Sequence, residues 1–149
     1  MIIPEALWLP SEKDLKAQFS PDRVLRRSSQ TAAAAVITDN ILAVPTDHVA
    51  FVTNIVVQAR AGGAQTCTFQ RIAVVDQSGN TLSTIASRAE PNHMGAAAAN
   101  EDLNWSGLVV VMPGEIVLLE ADFSAGVAAN TLGGGLFGVL VPRGNWHFG

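Results

Sequence analysis

The 149-residue sequence predicts an all-β fold: an antiparallel sandwich of about eight strands behind an N-terminal arm. Three observations lead there. Apolar residues alternate from Val49 onward, turn residues recur at strand-length intervals, and nothing after residue 31 has a helical period. At 15.6 kDa the chain suits one domain, whose core needs neither metal nor disulfide.

Residues 1–30 read as the arm. They hold five of the nine basic residues and four of the thirteen acids, so the arm carries +1 and residues 31–149 carry −5. Ser11, with Asp14 three residues on, resembles a capping box. Leu15 and Phe19 then share a helical face, Glu12 and Lys16 stand at i,i+4, and Pro21 ends the short helix. Two turns of helix are marginal alone, so the arm must dock on something. Ser28-Ser29-Gln30-Thr31 and residues 32–35 read as a linker into the body, 31–149.

The body begins with short β-rich runs at 34–38 and 41–45. In the strand that follows, Val49, Phe51, Ile55, Val57 and Ala59 are expected on one face. Ala50, Val52, Asn54, Val56, Gln58 and Arg60 are expected on the other. Further runs at 67–76, 80–87, 108–112, 115–123 and 136–142 are separated by Gly62-Gly63, Ser78-Gly79-Asn80, Pro113-Gly114 and Gly133-Gly134-Gly135. Residues 89–102 make the one long loop. Short antiparallel strands in this number fit a jelly roll. Several are apolar on both faces: Ala50, Val52 and Val56 back the Val49 series, and 108–111 is unbroken. A sandwich covers only one face of each sheet, so a second apolar face points to contact with another subunit. The plainer alternative is that Ala and Val are tolerated in solvent.

The composition narrows the chemistry. With 48% hydrophobic and 15% charged residues, bulk disorder is excluded. A net charge of −4 gives no general attraction for nucleic acid. No apolar run approaches the ~20 residues of a membrane helix, and the start lacks a secretory signal, so a soluble protein made in the cytosol is expected. Cys67, the single cysteine, reads as a small hydrophobe. A jelly roll invites comparison with cupin metal barrels, and Gly107 followed by Pro113-Gly114 loosely resembles their second motif. No histidine stands where that motif needs one, and His48, His93 and His147 are scattered. No Gly-x-Ser-x-Gly occurs, and the 132–136 glycine run lacks the Lys-Ser/Thr of a phosphate loop. Glu120 and Asp122 share a strand face as a glycosidase's carboxylates would, but read more simply as a solvated acidic edge. No enzyme, cofactor or metal is expected.

Partner contacts are expected instead. Arg23, Arg26 and Arg27 suit bidentate pairing with carboxylates of a neighbouring chain better than nucleic acid, since three arginines without interleaved aromatics make a weak phosphate track. Trp8 among Leu7 and Leu9, and Trp146 with Phe148, place large apolar groups near both ends. The candidate interface is therefore Leu7, Trp8, Leu15, Phe19, Arg23, Arg26, Arg27, Trp146 and Phe148.

One resemblance adds to this. Val44-Pro45 leading into a long strand, Asn104-Trp105-Ser106-Gly107, Met112-Pro113-Gly114-Glu115 and the stretch Gly138-Val139-Leu140-Val141-Pro142-Arg143-Gly144-Asn145 resemble small β-sandwich virion proteins of tailed bacteriophages. The similarity covers residues 41–145 and leaves out the arm. It implies a capsid decoration (cement) protein on a phage head, bound to the major capsid protein and often homotrimeric. A tail, collar or head-fibre base component is the alternative. It also implies a place on the capsid surface, with no membrane and no nucleic acid as partner. A carbohydrate-binding sandwich is the third reading, weakened because the chain has no tyrosine for a sugar platform.

Overall fold

The computed structural model describes residues 22–89 and 100–143, and all of its regular structure is β. Eight strands follow in order: β1 (Asp22–Ala32), β2 (Val36–Ala43), β3 (His48–Arg60), β4 (Cys67–Val75), β5 (Thr81–Arg88), β6 (Asn100–Val111), β7 (Ile116–Phe123) and β8 (Asn130–Pro142). They make two antiparallel four-stranded sheets, β1-β8-β3-β6 (sheet A) and β2-β7-β4-β5 (sheet B). The pairs β1/β8, β2/β7, β3/β6 and β4/β5 are nested, as if one long hairpin had been rolled up, which is the connectivity of a jelly roll.

The core lies between the sheets. Ile55, Val52 and Val57 of β3 and Leu132 and Leu136 of β8 meet Ile72 of β4 and Val117 and Leu119 of β7. These branched and γ-branched side chains stand on the inner positions of alternating strands, which is why the sheets stack. β7 shows the pattern cleanly: Val117, Leu119, Ala121 and Phe123 are buried while the residues between them are half-buried. Cys67 is fully buried, as a small hydrophobe would be.

Several expectations are corrected. Residues 22–32 form β1 and pair with β8 from Asp22↔Leu140 to Ala32↔Asn130, so the expected linker Ser28–Thr31 is strand, and the expected arm–body boundary falls inside it. The runs at 34–38 and 41–45 are one strand, β2, which carries a bulge between Asn40 and Leu42. Gly133-Gly134-Gly135 is not a turn but the middle of β8. β6 starts at Asn100, well before residue 108, and so takes in the last residues of the expected long loop. Residues 90–99 of that loop lie outside the described residues, as does the helix expected over 11–20.

The faces of β3 also differ from simple alternation. A bulge between Val52 and Asn54 inserts Thr53, whose hydroxyl donates to the Phe137 carbonyl at 3.4 Å. An extra residue exchanges the faces on either side of it. Ala50 and Val52 therefore point into the core together with Ile55, Val57 and Ala59, and do not back an outer face as expected.

One end of the sandwich is tied by a polar knot. Asn130 donates through Nδ2 to the carbonyls of Ala34 (2.8 Å) and Ala125 (3.0 Å), and its Oδ1 accepts the Gly62 amide at 2.9 Å. Gln65 Nε2 donates to Gly62 and Ala128 carbonyls at 3.0 and 3.2 Å. Both side chains are buried, and together they join the β1–β2, β3–β4 and β7–β8 connections. Buried amides satisfied in this way fix loop geometry.

Candidate partner-binding face

Alternation and register define the outer face of sheet A row by row. Arg23, Val139, Phe51 and Val110 form one row across β1, β8, β3 and β6. Leu25, Phe137, Asn54 and Ser106 form the next, and Arg27, Gly135, Val56 and Asn104 the third. Leu25 (59% exposed), Phe137 (44%), Val110 (44%) and Leu108 (65%) stand open on this face. The result is an apolar belt across all four strands with Arg23 and Arg27 at the β1 margin. Scattered exposed apolar residues need no explanation, but a continuous belt on one sheet face does.

Of the nine expected interface residues the structure places three, all on β1. Arg23 and Arg27 flank Leu25 on the outer face, whereas Arg26 belongs to the opposite side of this edge strand. All three lie on a strand and not on a free arm. Leu7, Trp8, Leu15, Phe19, Trp146 and Phe148 lie outside the described residues. Leu25, Phe51, Phe137 and Val139 stand on the same outer face and are not among the nine expected residues. The signal for Leu25 was available: Val24 and Leu25 are the apolar pair inside an otherwise polar run, and β1 needs one residue for each face. Trp105 packs against the core from β6 and is therefore no open sugar platform.

The outer face of sheet B is mixed: Val36, Leu118 and Ile116 share it with a charged group. Arg71 of β4 pairs with Glu120 of β7, its Nε donating to Oε2 at 2.9 Å and its Nη2 to the same oxygen. Arg71 Nη1 donates to Thr81 Oγ1 at 3.0 Å. Asp122 lies on the same face, and burial pushes its pKa up to about 6, with the neighbouring Glu120 charge adding to the rise and Arg71 opposing it. β7 lies between β2 and β4, so this carboxylate pair belongs to a central strand and not to the acidic edge expected. Arg71 thus clamps one of the two carboxylates and leaves the protonation of the other to its surroundings. Among the described residues no three His, Cys, Asp or Glu side chains converge as metal ligands. His48 Nδ1 lies 2.6 Å from Asp47 Oδ1, and that bond holds the Asp47 carboxyl below its usual range.

No family model matches the chain, and no curated protein matches it. Solved structures resemble it only in outline. A chain of the T13 particle of infectious bursal disease virus aligns with 85% of this chain at 14% identity and a TM-score of 0.44. The cyanophage Pam1 capsid asymmetric unit aligns with 82% at 13% identity and 0.43, and an arabinose-bound GH51 α-L-arabinofuranosidase with 89% at 12% identity and 0.43. This chain spans 32% of the bursal disease virus chain, 86% of the cyanophage chain and 24% of the arabinofuranosidase. Capsid proteins and a glycosidase thus share the same outline likeness, and at TM-scores below 0.5 it assigns this chain neither role.

Proposed function

We propose that this chain is a non-enzymatic virion structural protein, a decoration or cement protein that stabilises a phage head by binding the major capsid protein. The observation that carries the reading is the apolar belt of sheet A, because a jelly roll whose outer sheet face stays apolar has surface left to bury against another subunit. The resemblance of residues 41–145 to phage virion proteins gives that subunit its class. Three-fold self-association through the β3–β6 half of the belt, around Phe51, Leu108 and Val110, would supply avidity from three copies engaging together. Stable contacts of this kind bury about 1,200–2,000 Å².

Light scattering on the purified chain is expected to give a mass near three times 15.6 kDa. A clean monomer that also fails to co-sediment with capsid shells refutes the proposal. β1 fixes where the arm must be cut to test its share: removal of residues 1–21 leaves every described strand in place, whereas removal of 1–30 takes most of β1 with it. The shorter truncation is expected to weaken shell binding and leave the β circular dichroism unchanged.

A further inference from the structure

β1 sits on the sandwich with little behind it. It is an edge strand of eleven residues, paired with β8 alone. Its inner positions are Val24, Arg26, Ser28 and Gln30, opposite Gly138, Leu136, Gly134 and Leu132 of β8. Of these four only Val24 is apolar, and it is buried. The seam that β1 closes against β2 is polar. Gln30 Nε2 donates to Asp39 Oδ1 at 2.7 Å, while Asp39 Oδ2 and Ser28 Oγ are buried with no hydrogen-bond partner among the described residues. A buried oxygen without a partner costs about 1–3 kcal/mol, a cost relieved when the seam opens to water. An edge strand seated by one apolar side chain over such a seam is the part of a sandwich that opens first.

The opening has a defined pivot. Residues 33–35 carry the chain from sheet A to sheet B. Asn130 Nδ2 donates to the Ala34 carbonyl at 2.8 Å, and the Phe123 amide donates to the Ala35 carbonyl at 2.7 Å. Gly126 lies so close that a Cβ there would stand 2.7 Å from the Ala35 nitrogen. Ala34 and Ala35 are thus pinned, and the pivot is Ala32–Ala33. When β1 leaves, β8 presents an open backbone ladder from Asn130 to Leu140. A ladder of this length is a template for another strand. The strand that matches it residue for residue is β1 of a second copy, which restores every contact the first one made. Charge agrees with that occupant. β1 carries three arginines and one aspartate while residues 31–149 carry −5, so β1 segments repel one another and are drawn to the body of any copy.

We propose that β1 is exchanged between copies: residues 22–32 of one chain pair with β8 of the next and set their Val24 into its core. Exchange of an identical element needs no new contact, and it competes with self-pairing where copies are already held side by side. Arg23, Leu25 and Arg27 lie on the outer face of sheet A, so the exchanged strand carries its margin of the belt to the neighbour. Head-to-tail passage from copy to copy closes a ring, as a three-fold assembly requires. The inference rests on the self-association proposed above and names the segment that joins the copies.

Thr31 of β1 and Thr131 of β8 supply the test, because their hydroxyls lie 3.0 Å apart at an exposed site. In the full chain with Thr31→Cys and Thr131→Cys, mild oxidation joins whichever β1 and β8 are paired. Cys67 is fully buried and stays out of the reaction, and the two single variants set the background. After alkylation, a denaturing gel without reductant is expected to show multiples of 15.6 kDa, matching the native mass from light scattering. A 15.6 kDa band from protein whose native mass is a multiple overturns the exchange and leaves the association standing. A native mass of 15.6 kDa overturns both. If the reduced double variant loses its β circular dichroism, the native chain decides instead. A mixture of isotope-labelled and unlabelled copies is expected to show NOEs between Leu25 of one copy and Phe137 of another, and their absence refutes the exchange.

Discussion

At the scale of single residues, neighbouring glycines have opposite sensitivities. Gly134→Ala drives a methyl into Leu119 and the Val56 carbonyl and is expected to cost about 1–3 kcal/mol, read from the midpoint of urea unfolding. Gly135→Ala, one residue on, meets only the Arg26 carbonyl at an ordinary contact distance of 3.6 Å and should shift that midpoint little. Asn130→Ala leaves the Gly62 amide and two loop carbonyls without their partner, and roughly 2–4 kcal/mol is expected to go with it. Asp122 adds a pH dependence. Its pKa rises from 3.8 in the unfolded chain to about 6 in the fold, so the folded state holds the proton more tightly. That contribution is complete below pH ~3.8 and fades as pH climbs through about 6. Asp122→Asn should therefore raise the melting temperature at pH 7 and lose its advantage toward pH 4. A variant that melts with the native protein at both pH values would remove Asp122 as the cause.

At the scale of elements, β1 decides what the chain tolerates. Its Val24 is buried in the core and its Gln30 Nε2 donates to Asp39 Oδ1 of β2 at 2.7 Å, so this edge strand closes both sheets along one side. Cutting at residue 21 is expected to leave a cooperative melt, and cutting at residue 32 to abolish it, as followed by circular dichroism. β1 was also the strand that sequence patterning concealed. Arg23, Arg26, Arg27, Ser28 and Ser29 read as a polar arm because an edge strand exposes one face and one flank, so few positions need be apolar. Triple glycine reads as a turn by local propensity, and only the approach of Leu119 from the other sheet explains Gly134 as strand. β7 was legible because Val117, Leu119, Ala121 and Phe123 alternate with half-buried residues, and β3, β4 and β5 because Gly62-Gly63 and Ser78-Gly79-Asn80 punctuate their β-rich runs. Thr53 was not, since a bulge carries no local signature beyond the lost phase. The belt was legible as two-sided apolarity, yet of its members only Val56, Leu108 and Val110 fall in the runs that show it, because the face of Ala50 and Val52 depended on that bulge.

At the scale of the molecule, sheet A presents Leu25, Phe137, Leu108 and Val110 in the open, while sheet B sets Val36, Ile116 and Leu118 around an Arg71–Glu120 pair beside Asp122. The association proposed above runs through Leu108 and Val110 of sheet A. Leu108→Lys with Val110→Lys is expected to reduce the mass in solution to 15.6 kDa while moving the unfolding free energy by no more than ~0.5 kcal/mol for each exposed site. An unchanged mass would move the contact off sheet A. The nested strand order has a different consequence, one for synthesis. β7 and β8, the last of the described strands in chain order, are interior to their sheets, β7 between β2 and β4 and β8 between β1 and β3. A nascent chain that has reached Gly114 holds six strands and neither sheet, and the ribosome must release Ile116–Pro142 before the barrel can close. Until then the apolar inner faces of β2, β3 and β4 lack the strands that join them into sheets, so closure of the sandwich is expected to wait for β7 and β8 and to be slow for a chain of this size.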